Sequence, residues 1–192
     1  MKTIISVVLI VIIAFLAWAL IQGIKEPIAF QEVKEARKAV VVSKLEKIRK
    51  AQEYYLDIKG VYAGNFDSLA YVLSNDSFTI EKIIGDPDDP SGEGFERIIT
   101  RISAKDSMSK INFDLTDLPS IPFGEGKTFT IEADTLTYQS TLVNVCEVGT
   151  RWKDFMGEYA SVKFSKYDNS YDPNKRMKFG NMNAPNLSGN WK

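Results

Sequence analysis

The hydrophobic rhythm of the chain changes three times. Residues 3–23, TIISVVLIVIIAFLAWALIQG, are apolar throughout and carry no charge over 21 positions. At about 1.5 Å per helical residue such a run reaches roughly 30 Å, the thickness of a bilayer core. The rhythm then shifts to three- and four-residue steps. Phe30, Val33, Ala36 and Val40 form one series, and Val41, Leu45, Ile48, Ala51, Tyr55 and Ile58 form the next. These are helical periods, and the offset between the series moves the apolar stripe around the axis. Gly60 is suited to the position just past a helix end. Asn65 suits the cap of a second, short helix over Phe66–Leu73. After Ser74-Asn75-Asp76 the period falls to two.

Strands are predicted over Phe78–Ile84, Phe95–Ile102, Lys110–Leu115, Thr128–Ala133 and Tyr138–Val148, separated by Gly, Pro, Asp and Ser clusters. The first two read as antiparallel partners across a long loop. The order of one long helix, one short helix and a run of strands predicts an α+β fold, with a long N-terminal transmembrane-plus-spine helix packed on a small antiparallel β-sheet. Four segments follow: an anchor at 1–24, an amphipathic spine at 25–60, a globular domain at 61–150 and a basic C-terminal segment at 151–192. In the last, Trp152, Phe155 and Tyr159 suit an amphipathic turn. Phe179, Leu187 and Trp191 suit packing along the body or on a neighbouring subunit.

Lys2 and Lys25 bracket the anchor, and Trp18 lies near one end, where indoles favour the interface. Ala17-Trp18-Ala19 also fits a signal-peptidase site, so a cleaved signal peptide is the rival to a retained anchor. Pro27 marks a place where the helix can kink or restart. Glu46 and Lys50 are spaced for an i,i+4 pair. Lys44, Lys47, Arg49 and Lys50 leave the apolar stripe and are expected to face solvent or a partner.

Charge adds a polarity along the chain. Residues 25–50 carry eight Lys or Arg against four Asp or Glu, residues 51–150 seven against seventeen, and residues 151–192 eight against four. A basic neck thus supports an acidic body with a basic tail. Opposite zones on one molecule suit head-to-tail packing between copies. The basic neck, read by the positive-inside rule, places the body on the cytoplasmic side.

Candidate chemistry is sparse. There is no histidine and one cysteine, Cys146. Ser-His-Asp, Cys-His and His-based zinc sites are excluded, as are cysteine-based zinc and iron–sulfur sites. An internal disulfide is impossible, and Cys146 in VNVCEV reads as a small buried hydrophobe. Asp86, Asp88, Asp89 and Glu93 in DPDDPSGEGFE supply oxygen ligands for a weak calcium candidate, although Pro90 falls where an EF-hand needs a ligand. FGEGKTF, 123–129, lacks the phosphate-loop spacing and reads as a hairpin turn. The basic, aromatic tail has no recognisable nucleic-acid fold, so no nucleic acid partner is expected, and no cofactor.

The segment KIRKAQEYYLDIKGVYAGNFDSLAYVL joins a helix that continues out of an apolar anchor to a short helix and then strands. With Tyr54, Tyr55, Gly60, Tyr62, the helix Phe66–Leu73 and Pro27, residues 1–75 resemble the type IV pilin and pseudopilin family. In that family a long N-terminal helix is half membrane anchor and half domain spine. The family also has a leader with a glycine cleavage point, a glutamate early in the apolar helix and, in many members, a C-terminal cysteine pair. Here the apolar run follows Met1-Lys2 directly and holds no acid, so the expectation is a pilin-like component that keeps its N-terminus.

The resemblance implies a single-pass structural subunit of an envelope secretion, pilus or motility assembly, without enzymatic activity. It implies a bacterial inner membrane, with the body in the periplasm. Its partners would be the membrane and copies of itself or related pilin-like subunits. Self-association is assigned to Phe30, Val33, Val40, Val41, Leu45 and Ile48. The alternative is an inner-membrane assembly scaffold, dimerising through a Val41–Ile58 seam. A tethered enzyme or ligand-binding domain is a third reading.

Overall fold

The computed structural model describes residues 2–84, 96–110, 114, 115 and 117–191. Helix α1 (Lys2–Lys59) is a single helix of 58 residues, about 87 Å long. It runs through Pro27 without a break, although proline removes one helical donor and crowds the preceding turn. Every large apolar side chain described from Ile4 to Ile24 is 48–68% exposed. Past Pro27 the same helix is embedded, with Phe30, Val41, Leu45, Ile48 and Ala51 fully buried. These positions follow the three- and four-residue spacing read from the sequence, because that spacing keeps one face on the body.

The helix ends at Gly60, whose φ of 75° lets its N–H turn back to the Leu56 carbonyl at 2.7 Å. Just beyond, Gln52 holds the chain reversal from inside the core. Its Nε2 donates to the Ala63 carbonyl and its Oε1 accepts from the Ala63 N–H, both at 2.9 Å. Helix α2 (Phe66–Asn75) is capped by Asn65, whose side chain accepts from the Ser68 N–H at 2.7 Å. It turns Leu69, Val72 and Leu73 inward.

Strands β1 (Ser77–Ile84) and β2 (Glu96–Ser103) form a two-stranded antiparallel sheet, with Ser77 opposite Ser103 and Ile84 opposite Glu96. Helix α3 (Ala104–Lys110) follows. The strand expected over Lys110–Leu115 is corrected at its described ends, and residues 111–113 lie outside the described residues. Lys110 closes a helix, and Asp114 and Leu115 belong to no regular element. Ala104 and Met108 are its buried residues, and a single i,i+4 apolar pair is too short a signal to mark a helix. The 123–129 stretch makes a tight turn, with Phe123, Glu125 and Gly126 at positive φ and Ser120 bridged to Thr128.

The second sheet is antiparallel in the order β3-β4-β5, from β3 (Thr130–Tyr138), β4 (Thr141–Arg151) and β5 (Arg176–Gly180). The β3–β4 turn is Gln139-Ser140, both at positive φ, the conformation of a two-residue hairpin that matches strand twist. Tyr138 thus closes β3 and does not open β4. Three short 3-10 turns, Trp152–Asp154, Gly157–Tyr159 and Val162–Lys166, carry the chain from β4 back towards the anchor before β5. Phe179 on β5 is fully buried, and Leu187 and Trp191 pack against the same core. A boundary at residue 150 accordingly divides one packed unit. The core is a single cluster in which α1 meets α2, all three strands of the larger sheet and the 3-10 turns.

Candidate interaction surfaces

The body grips α1 through an aromatic clasp built by the C-terminal segment. Phe30 stacks on Phe164, with ring centres 5.3 Å apart and planes 6° from parallel. Tyr171 meets Phe30 edge-on at 5.1 Å, and Tyr159 and Tyr167 close the sides at 5.9 and 6.3 Å. Such contacts add to the burial of an aromatic side chain. The Tyr171 hydroxyl donates to the Tyr159 carbonyl at 2.7 Å. Burial pushes the Tyr171 phenol up to about 12.

Ion pairs flank the rings. Lys34 donates to the Asp168 carboxylate, and both side chains are largely covered. The hydrogen bond from Lys34, followed by that from Ser170, holds Asp168 well below the usual carboxylate range. Burial is the largest influence on Lys34 and pulls its ammonium down. The bonds to Asp168 and Glu35 together outweigh it and leave the pKa raised. On the anchor side the Tyr167 hydroxyl donates to Glu26, which chiefly for that reason sits below its ordinary pKa.

Further along, Lys44 reaches the body. Its Nζ donates to the Asp117 carbonyl at 2.6 Å, the Asp117 carboxylate at 2.8 Å and Ser120 Oγ at 3.0 Å. Lys44 is therefore not a solvent- or partner-facing group as expected. Lys50 pairs with Glu53 at 2.8 Å, where a pair with Glu46 was expected. Arg37 donates to the Phe155 carbonyl at 2.7 Å and lies over the Phe123 ring at 5.0 Å.

The six positions assigned to self-association separate. Phe30, Val41, Leu45 and Ile48 have no accessible surface, because the chain's own body covers them. The assignment is corrected for these four, and within the Val41–Ile58 seam Val41, Leu45, Ile48 and Ala51 are covered in the same way while Tyr55 and Ile58 are half-buried. Val33 is half-buried, and Val40 remains 44% exposed. Val40 belongs to a stripe of α1 left open by the body, together with Ala36, Ala39 and Ser43. Beside it runs a groove of about 540 Å3 between α1 and the 114–122 segment, lined by Ala39, Val40, Ser43, Lys44, Asp117 and Pro122 among others. The sequence pattern showed which positions are apolar and helical. It did not show that a segment more than 120 residues away closes over Phe30.

Asp86, Asp88, Asp89 and Glu93 lie outside the described residues. Among the described residues no cluster of His, Cys, Asp or Glu is arranged to hold a metal ion. The resolved pKa shifts move their groups away from neutrality. Carboxylates such as Asp117 fall through bonds to Lys44 and Ser120, Lys59 rises through its bond to Asp76, and burial pushes the Cys146 thiol up to about 12. General acid–base catalysis needs the opposite displacement.

The chain matches no protein-family model, no curated protein and no solved structure. What stands is a helix long and apolar enough to cross a membrane, continuing into a spine packed on small antiparallel sheets.

Proposed function

We propose that this protein is a single-pass, pilin-like structural subunit of an envelope secretion, pilus or motility assembly, and not an enzyme. The observation that carries the reading is α1 itself. One uninterrupted helix is bare and apolar on every face up to Ile24, then buried along one face by the body from Phe30 to Ala51. A helix that is hydrophobic all round belongs in lipid or in a large core, and the body leaves this part of α1 uncovered. The bare segment anchors the chain in a bacterial inner membrane, and the pilin resemblance, in preference to the positive-inside reading of the neck, puts the body in the periplasm. Subunits meet through what the body leaves open, namely the Ala36, Ala39, Val40 and Ser43 stripe and the acidic surface of the 51–150 region. The absence of histidine and the outward pKa shifts support a non-enzymatic role.

A benzophenone amino acid at Ala39, irradiated in intact cells, tests this. A heterologous contact links each subunit to the next and gives a ladder of oligomers, the expected result. Dimers alone would mean an isologous pair and favour the assembly scaffold. No product at Ala39, Val40 or Ser43 would overturn both.

A further inference from the structure

The last 3-10 turn sits at an informative height on α1. Phe164, on its buried side, stacks on Phe30. Lys163 and Lys166 reach Glu26 at 4.0 and 3.9 Å, and Tyr167 donates to the same carboxylate. The turn is therefore fastened to α1 between residues 26 and 30. Glu26 lies about 3 Å along the axis beyond Ile24, the last apolar residue of the anchor, and Phe30 about 9 Å. The polar head-group layer is about 5–7 Å deep on each side of the hydrocarbon. With residues 3–24 in the hydrocarbon, Glu26 falls inside that layer and Phe30 just past its outer edge.

Its outer side has the chemistry of a membrane interface. Val162 is 63% exposed, two residues before the buried Phe164. The side chains of Lys163 and Lys166 are 61% and 59% exposed despite their approach to Glu26. Their ammonium groups lie over the rings of Phe164 and Tyr167 at 4.5 and 4.4 Å, cation–π contacts that still leave more than half of each side chain exposed. On α1, Ile24 and Ile28 are exposed, with Lys25 between them. Lys163 and Lys166 share one carboxylate, Glu26, and Lys25 precedes it in the chain, which leaves a positive excess. Asp168, the next acid along the segment, is taken up by Lys34.

We propose that the turn Val162–Lys166 is a second membrane contact, in which Val162 enters the interface and Lys25, Lys163 and Lys166 engage the phosphates of anionic lipids. The inference rests on the reading that residues 3–24 span the bilayer. Because the turn lies on one face of α1, it fixes which side of the helix the body leans over. Anionic membrane surfaces attract such basic groups within a Debye length.

The test uses the full-length protein in liposomes, with an environment-sensitive fluorophore on one introduced cysteine and a nitroxide quencher on the lipid head group. The buried Cys146 thiol does not compete for label. Val162→Cys reports the turn. Leu142→Cys is the distal comparison, two residues from Asn144, which bonds the Gly60 carbonyl about 50 Å further along α1. Ala14→Cys reports the anchor. The label at 162 should be quenched several-fold more than that at 142, and more in phosphatidylglycerol-containing vesicles than in pure phosphatidylcholine. Lys163→Glu with Lys166→Glu should remove the lipid dependence and leave the label at 14 unchanged.

Equal quenching at 162 and 142, with 14 shielded from water, would overturn the proposal and leave the anchor reading intact. Shielding of 162 that depends on protein density and not on lipid charge would also overturn it, and would assign the surface to the acidic body of a neighbour. A label at 14 open to water would overturn the anchor reading, and the lipid contact with it.

Discussion

Phe15 and Phe30 lie on one helix, four turns apart, and their surroundings are opposite. Phe15 is 62% exposed with Trp18 as its only described ring neighbour, whereas Phe30 is fully buried among four rings from the C-terminal segment. Backbone conformation is shared, so the difference lies in what covers the side chain. Around Phe15 the described residues of the body offer no cover. Around Phe30 the chain itself is the solvent. One secondary-structure element thus serves two environments, and the change occurs within the seven residues from Ile24 to Phe30.

The largest expected effect breaks this pair apart. Phe30→Ala should lower the stability of the body by about 3–5 kcal/mol, the usual range for removing a buried phenylalanine. Phe15→Ala should leave the body's unfolding midpoint unchanged within about 0.5 kcal/mol. Denaturant unfolding in detergent micelles, followed by tryptophan fluorescence, compares the two. Equal effects would mean that the halves of α1 are not separate.

Next in size is Gly180→Ala. Gly180 has φ +83°, and a methyl group there would lie 2.0 Å from the Cys146 carbonyl oxygen. A loss of about 3 kcal/mol is expected from the body, with membrane insertion untouched. Unchanged stability would show that β5 does not hold the body together. Gln52→Ala should lose about 2 kcal/mol, because it strands the buried Ala63 N–H and C=O. An accompanying fall in amide protection at Ala63, measured by hydrogen exchange, separates this from general loosening.

The smallest effect is the Lys34–Asp168 pair, with about 1 kcal/mol expected from Asp168→Asn. Its pH dependence has a definite sign. Asp168 is depressed in the folded state, so its contribution is present above the unfolded carboxylate value of about 3.9 and is lost as pH falls through the lower native value. Lys34 is raised, so its contribution holds below about 10.4 and is lost as pH rises through the higher native value. The stability difference between wild type and Asp168→Asn should be flat from about pH 5 to 9. A step near neutrality would contradict the assignment.

The contrast between the two phenylalanines also marks what a sequence can carry. The apolar helix was legible because 21 uncharged residues form one continuous run long enough to cross a membrane. The spine was legible because its period is local. The paired strands β1 and β2 and the Asn65 cap were likewise local signals. Partnership across long separations was not. Phe30 looked like a residue in need of a neighbouring chain, since its cover begins at Tyr159. The Gln139-Ser140 turn carries no Asn-Gly signature, so the hairpin boundary was placed at the wrong residue. Gln52 gave no signal, because a buried amide is recognised only by the backbone it meets.

The central claim, that α1 passes from lipid to body without interruption, is tested most directly by walking a spin label along residues 4–58 of the full-length protein in liposomes. Accessibility to oxygen and to a water-soluble nickel complex is read at each site. The account predicts high oxygen and low nickel accessibility on every face to Ile24. A switch at Lys25 and Glu26 should follow, then a 3.6-residue alternation with minima at Phe30, Val41, Leu45 and Ile48. Nickel accessibility throughout residues 4–24, or an alternation that already begins there, would contradict it.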